Sequence, residues 1–109
     1  MYIYEPNAAI LKAGAYKLIG TRYNLKKMGT NTHLYLSKEY VAEFPGRIWK
    51  LRGEFAKDRQ ILHASVMTRN YPLSADQLRK KLKIKEGDQL TVIGARLGEK
   101  PVVMLAEKC

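Results

Sequence analysis

Apolar residues alternate with polar ones along several short stretches of the chain, and this spacing predicts β-strands. The predicted strands cover residues 2–4, 33–36, 47–55, 61–68, 90–95 and 102–106. In residues 47–55, the side chains of Trp49, Leu51, Gly53 and Phe55 point one way, and Lys50, Arg52 and Glu54 point the other. We therefore expect one face of this strand in the core and the other facing solvent or a ligand.

Residues 8–20 carry helical rather than alternating spacing. Asn7 is a suitable N-cap residue, and Pro6 ends the strand before it. The predicted inner positions of this helix are Leu11, Ala15, Leu18 and Ile19. Residues 26–32 are predicted to form a polar loop, and residues 37–43 a short helical turn.

A second helix is predicted to begin after Ser74. Ser74 and Gln77 have the spacing of a capping box, in which each side chain hydrogen-bonds to the backbone of the other. Leu73 and Leu78 have the spacing of a hydrophobic staple. Gly87 follows as a stop signal.

Together these elements predict a small single α+β domain over residues 1–109, with two main helices on a largely antiparallel sheet of about five or six short strands. The last two strands are expected to form a hairpin around Gly98 and Glu99. Pro101 restricts the start of its second strand to an edge position, because proline has no N–H to donate.

The net charge of +10, from 20 Lys and Arg against 10 Asp and Glu, favours a polyanionic partner. Nucleic acid and an anionic membrane surface both fit, and so does a cationic surface that only aids solubility. The excess is concentrated in two segments, residues 6–38 and 69–85, which contain few acids. We expect one cationic face if folding brings them together.

The candidate binding residues lie in these two segments. Those of the first segment are Lys12, Lys17, Arg22, Lys26 and Lys27; those around the second helix are Arg79, Lys80, Lys81, Lys83 and Lys85. Just before that helix, Arg69 could pair with phosphate, Asn70 could bind a base or sugar, and Tyr71 could stack on an unpaired base. A structural interpretation is equally open, in which Arg69 pairs with an acid, Asn70 holds the turn and Tyr71 packs in the core.

Sequence signals of catalysis are absent. The chain has no glycine-rich phosphate loop and no Ser/His/Asp arrangement, and His33 and His63 have no partners at metal-ligand spacing. The lone Cys109 is expected to be an exposed thiol. We expect no enzyme activity, cofactor or metal in this chain alone. No membrane partner is expected either, and the lack of a signal peptide or apolar span predicts a cytoplasmic protein.

Four ordered motifs resemble the C-terminal THUMP-like domain of bacterial class I SAM-dependent methyltransferases. They are YIYEPNAAILKAG at residues 2–14, NTHLYLS at 31–37, FPGR at 44–47 and RNYPLSADQLRKKLKIKEG at 69–87. The resemblance spans essentially the whole chain. In that family the domain follows a ferredoxin-like insert and a Rossmann methyltransferase.

The resemblance implies that Met1 is a fragment boundary and that the catalytic Rossmann domain, with its S-adenosylmethionine, belongs to a larger parent protein. It also implies a function: the domain binds RNA, such as tRNA or rRNA, and presents it to the methyltransferase domain in cis. The alternative is a docking or dimerisation module of the methyltransferase that makes no RNA contact.

Overall fold

A seven-stranded sheet carries three helices in the computed structural model, which describes residues 1–12, 16–55 and 62–109, with the backbone alone at 16 and 17. The strands are β1 (Tyr2–Pro6), β2 (Lys26–Gly29), β3 (Thr32–Ser37), β4 (Gly46–Glu54), β5 (Ser65–Arg69), β6 (Leu90–Leu97) and β7 (Lys100–Lys108). The helices are α1 (Ala8–Lys12), α2 (Tyr16–Arg22) and α3 (Ala75–Leu82).

The strand order is β2-β3-β1-β4-β7-β6-β5. Neighbouring strands are antiparallel except for β5 and β6, which are parallel. A parallel pair needs a crossover connection, and α3 provides it. No described helix is long and apolar enough to cross a membrane.

The sheet curls so that its two ends approach each other. The N–H of Gly98, at the tip of the β6–β7 hairpin, donates a hydrogen bond to the carbonyl of Met28 in β2 at 2.7 Å. The Asn70 side chain, just after β5, donates to the Thr32 hydroxyl in β3 at 3.1 Å. The curl encloses a core of Ile3, Met28, Leu34, Trp49, Ile93, Ala95, Met104 and Ala106.

The helices cover two separate parts of the outer surface. Ile19 of α2 packs in a cluster with Tyr4, Leu25, Tyr35 and Phe44. Leu78 of α3 packs in another cluster with Ala64, Ile84 and Val92. The two acid-poor segments are therefore attached to different parts of the sheet.

The predicted α+β class and largely antiparallel sheet are confirmed, whereas the predicted five or six strands are one or two too few. The extra strand is β2, in the segment predicted to be a polar loop. Met28 is the buried residue of β2, at 3% exposed, and the strand forms because it pairs with β3 and closes the inner core. Local spacing carries no signal for such a strand.

The helix predicted over residues 8–20 corresponds to α1 and α2, with residues 13–15, including Ala15, outside the described residues. The prediction of two main helices is thus replaced by three described ones. Leu18 was expected on the inner face and is 72% exposed, so this assignment is wrong. Ile19 faces the core, and neighbouring positions on a helix point about 100° apart.

Three smaller predictions have mixed outcomes. The 61–68 strand is found as β5, Ser65–Arg69, with residue 61 outside the described residues. Instead of the helical turn predicted over residues 37–43, Ser37 ends β3, and residues 38–43 form bends and turns. The β6–β7 hairpin is confirmed, and Pro101 pairs with Arg96 on one side, beyond the part of β7 that pairs with β4.

Candidate nucleic-acid interface

Helix α3 begins with the predicted capping box. The Ser74 hydroxyl accepts a hydrogen bond from the Gln77 N–H at 3.2 Å, and the Gln77 side chain accepts one from the Ser74 N–H at 2.9 Å. Leu78 is 1% exposed, and Leu73 packs against the same cluster. These contacts fix the direction of the helix and satisfy N–H groups at its first turn.

The C-terminal end of α3 turns sharply at Lys83, which has a left-handed backbone (φ 57°). The Lys83 N–H bonds to the Lys80 carbonyl at 3.3 Å, and the Ile84 N–H bonds to the Arg79 carbonyl at 3.0 Å. Ile84 is 4% exposed, so its burial holds the turn. The backbone of Lys85 is fixed as well, because its N–H bonds to the Leu62 carbonyl at 2.9 Å. The lysine side chains beside this turn therefore project from a backbone whose position is fixed by hydrogen bonds.

A groove of about 460 Å³ lies beside this turn, and we call it the α3 groove; it is lined by Arg79, Lys80, Lys83, Ile84 and Lys85. Arg79 is committed to the fold, since its guanidinium donates to the carbonyls of Ile84 and Ala64, each at 3.3 Å. It also lies 3.7 Å from the exposed carboxylate of Glu86.

The three lysines of the α3 groove, Lys80, Lys83 and Lys85, are exposed, as is the adjacent Lys81. Within the described residues, none of their ammonium groups makes a hydrogen bond or lies within 4 Å of a carboxylate. Their positive field is therefore available to an external anion.

Arg69 has a different environment. Its guanidinium forms a two-point contact with the Glu5 carboxylate, through Nε to Oε2 and through Nη2 to Oε1 at 3.3 Å. Its Nη1 donates to the carbonyl of Thr68 at 2.8 Å. Glu5 is 8% exposed and also binds Arg47. The structure shows the acid pairing that the structural interpretation expected of Arg69.

Asn70 and Tyr71 are likewise engaged within the fold. Asn70 has a left-handed backbone (φ 53°), and its side chain bonds to Thr32. The Tyr71 ring packs beside Leu78 against Gly94, where an added Cβ would lie 3.0 Å from both side chains. The structure thus shows Asn70 in a turn and Tyr71 packed against the Leu78 cluster. Contact of Arg69, Asn70 or Tyr71 with RNA stays a prediction.

The cations of the first acid-poor segment are spread over α1, α2 and β2. Lys12 ends α1, and the guanidinium carbon of Arg22 lies 5.6 Å from the centre of the Tyr23 ring. In β2, Lys26 lines a groove that also contains Glu39, and the Lys27 ammonium donates to the Thr30 carbonyl at 2.6 Å. The Lys17 side chain lies outside the described residues.

The two histidines occupy structural positions. Burial, and secondly the charge of Lys27, lowers the pKa of His33, so that its ring is neutral at pH 7. His63 has its Nδ1 3.1 Å from the carbonyl oxygen of Glu86 and forms an isolated bridge with Lys85. Within residues 1–12, 16–55 and 62–109, no cluster of three His, Cys, Asp or Glu residues could hold a metal ion.

Two exposed residues of the middle segment were not predicted as site residues. Tyr40 is 51% exposed, and the Arg47 side chain is 63% exposed. Both line a second groove, of about 360 Å³, near the end of β7. The sequence signal that could have found them is Tyr40 in a predicted turn, followed by Arg47 directly after Pro45 and Gly46. These residues were not predicted because acidic and basic residues are nearly balanced in this segment.

Comparisons with known proteins divide the chain between two family descriptions. A ferredoxin-like domain matches residues 2–45, and a THUMP domain-like family matches residues 41–108. No curated protein matches the chain. A crystal structure of a protein from Porphyromonas gingivalis W83, assigned as a methyltransferase, matches 99% of the chain with 36% identity and a TM-score of 0.88.

The chain spans 29% of the length of that crystallised protein. Its match to the THUMP domain-like family covers more than half of the 109 residues and includes β4–β7, α3 and the α3 groove. The THUMP-like resemblance is thereby confirmed over residues 41–108, which contain the motifs at 44–47 and 69–87, whereas the motifs at 2–14 and 31–37 lie in the ferredoxin-like match instead. The chain belongs to the THUMP domain-like family.

Proposed function

We propose that this chain is an RNA-binding accessory domain of a SAM-dependent methyltransferase and presents RNA to a separate catalytic domain in cis. The α3 groove carries the proposal, because three exposed lysines surround it without a carboxylate partner in the described chain. The similarity to a protein assigned as a methyltransferase supports the enzymatic context.

The chemistry of the groove suits a phosphate backbone. Lysine ammonium groups are mobile point charges that bind phosphates without reading sequence. Ile84 and the aliphatic stems of the lysines give the groove an apolar floor and walls, which offer no pattern of donors and acceptors to a base edge. We therefore expect the groove to recognise RNA by shape and charge, as double-stranded RNA is usually recognised.

S-adenosylmethionine would be held by the catalytic domain and not by this chain. The β5–α3 turn is where a nucleotide-binding βαβ unit places its phosphate loop. Here the Ser74 and Gln77 side chains occupy the first turn of α3, and Tyr71 fills the space above Gly94. The residues of this turn do not fit a nucleotide cofactor.

Replacement of the three groove lysines tests the proposal. We expect the K80Q/K83Q/K85Q variant to bind a blunt RNA duplex at least about tenfold more weakly at low salt, by fluorescence anisotropy. If each lysine neutralises one phosphate, the slope of log K against log salt should become shallower by about 2 to 3. Thermal unfolding should change little, because these ammonium groups make no hydrogen bond or ion pair within the described residues.

A matched control removes the same charge elsewhere. The K38Q/K50Q/K100Q variant loses three exposed lysines that do not line the α3 groove, and we expect it to lose less than threefold in affinity. Equal losses in the two variants would show a diffuse charge effect and contradict a site at the α3 groove. Absent or salt-independent binding by the wild-type chain would contradict the RNA-binding function itself.

The second candidate function, docking or dimerisation without RNA contact, is favoured by one observation. Leu18 of α2 is 72% exposed, which leaves a large apolar side chain on the outer surface. If this residue mediates self-association, the chain should sediment as a dimer and the Leu18→Ser variant as a monomer. A monomeric wild-type chain would exclude dimerisation.

A further inference from the structure

The exposed ring of Tyr40 is held in place by a buried tyrosine. Tyr4 is 0% exposed, and its hydroxyl donates to the Glu39 carbonyl and accepts from the Val41 N–H at 3.1 Å. Residue 40 lies between these two anchored peptide groups. Burial raises the pKa of Tyr4, so the hydroxyl keeps its proton at neutral pH and can make both bonds.

One side of the Tyr40 ring is supported by Tyr2. The two ring centres are 5.4 Å apart with an interplanar angle of 57°, within the range of favourable aromatic pairs. Tyr40 nevertheless remains 51% exposed. The result is a preorganised aromatic ring that is covered by Tyr2 on one side and still about half exposed to water.

The groove beside Tyr40 combines this ring with two cations. Its volume is about 360 Å³, and Tyr40, Phe44, Arg47, Trp49 and Lys108 are among its lining residues. The Arg47 guanidinium lies 5.3 Å from the centre of the Trp49 ring and uses Nη2 for Glu5. Lys108 is exposed, and its ammonium group makes no hydrogen bond or ion pair within the described residues.

The electrostatics of this groove favour an anion-bearing ligand. Its lining contains Arg47 and Lys108 but no Asp or Glu side chain, and Arg47, which shares Glu5 through Nη2, keeps 63% of its side chain exposed. The nearby acid Glu39 lines a different groove, together with Lys26 and Lys38. An exposed aromatic ring beside cationic side chains is the combination by which proteins hold single-stranded nucleic acid: the ring stacks on a base, and the cations contact its phosphates.

We propose that the groove at Tyr40 binds an unpaired nucleotide of RNA, with the base stacked on the Tyr40 ring and a phosphate at Arg47 and Lys108. This site rests on the proposed RNA-binding function and assigns that function a second element. The α3 groove would hold paired RNA by its phosphates, whereas the Tyr40 groove would take a base that has left the stack. Together they would select RNA in which a duplex adjoins an unpaired segment.

The test compares two probes, single-stranded penta-adenylate RNA and a blunt RNA duplex. We expect the Tyr40→Leu variant to bind penta-adenylate about tenfold more weakly, because the base loses the aromatic face on which it stacks. Its affinity for the duplex should change by less than twofold. The Tyr40→Phe variant keeps the aromatic face and should retain nearly all of the single-strand affinity. The single tryptophan, Trp49, lines the groove, and its fluorescence should change on addition of penta-adenylate to wild type but not to Tyr40→Leu.

The outcomes separate this site from the proposed function. Equal penta-adenylate affinity of wild type and Tyr40→Leu would overturn the nucleotide site, while duplex binding that depends on Lys80, Lys83 and Lys85 would leave the proposed function standing. A wild-type chain that binds neither probe would overturn both. A loss in Tyr40→Leu that Tyr40→Phe shares would also count against stacking, since the aromatic face would not be what the RNA contacts.

Discussion

The two ends of helix α3 carry similar residues in the sequence and have opposite environments in the structure. At the N-terminal side, Arg69 is paired with Glu5, and Tyr71 is packed against Gly94. At the C-terminal side, Lys80, Lys83 and Lys85 surround a groove and have no acidic partner within the described residues. Both stretches belong to the same acid-poor segment, so local charge did not distinguish them.

The difference comes from contacts distant in the chain. Glu5 is 64 positions from Arg69 and reaches it because the sheet curls, and its near-complete burial favours a two-point contact with a planar guanidinium. Lys80 lies in the last turn of α3, and Lys83 and Lys85 lie just after it, where the chain turns back towards β6. The nearby acid Glu86 is within 4 Å of Arg79 and of none of these lysines. A positive residue whose counter-charge the fold already supplies is thus less available to a polyanion than one without a counter-charge.

The largest effect should come from Tyr71, if the N-terminal side of α3 is structural. We expect Tyr71→Ala to lower the free energy of unfolding by about 3 kcal/mol, because it removes the ring that packs against Gly94 and the Leu78 cluster. Urea denaturation measures the loss, and Tyr40→Ala, which truncates an exposed ring, should lose less than half as much. At temperatures where the variant is folded, its affinity for an RNA duplex should match that of wild type; a large affinity loss with normal stability would instead assign Tyr71 to the RNA interface.

A smaller loss of stability is expected from substitution of Glu5, whose carboxylate balances the charge of Arg69 at the N-terminal side of α3. Glu5→Gln should lower the free energy of unfolding by about 2 kcal/mol, since hydrogen bonds to charged groups are lost while the arginines remain partly exposed to water. In a double-mutant cycle with Arg69→Gln, the two losses should not be additive, because the residues are in contact. Additive losses would show that the pair contributes no coupling.

The elements that could be predicted from the sequence are those whose signals are local. The capping box of Ser74 and Gln77 is formed by backbone and side-chain groups within one turn, and it is found as predicted. Strand β2 is held by pairing with β3 and by the hydrogen bond from Gly98 to Met28. No pattern within its four residues encodes those partners, so β2 was predicted to be a loop.

The candidate site shows the same limit. The lysine-rich end of α3 could be identified because an amphipathic helix exposes its polar face, and Lys80, Lys83 and Lys85 are exposed as that predicts. Two other features could not be predicted from the local sequence. The ion pair of Arg69 depends on Glu5, and the exposed position of the Tyr40 ring depends on the hydrogen bonds of the Tyr4 hydroxyl. The sequence therefore predicted where the cations are but not which of them the fold neutralises.

The smallest effect should come from the cap of α3, and it separates stability from binding most cleanly. Ser74→Ala removes the acceptor for the Gln77 N–H, and we expect it to lower the free energy of unfolding by about 1 kcal/mol. Ser74→Asn can cap the helix equally well and should restore most of that loss. Duplex affinity should change by less than twofold in both variants, because the groove lysines lie in and just after the last turn of α3, which is held by Ile84 and Leu78. If Ser74→Ala weakened RNA binding as much as loss of the groove lysines, the N-terminal end of α3 would contact RNA, and the contrast between the two ends of the helix would be wrong.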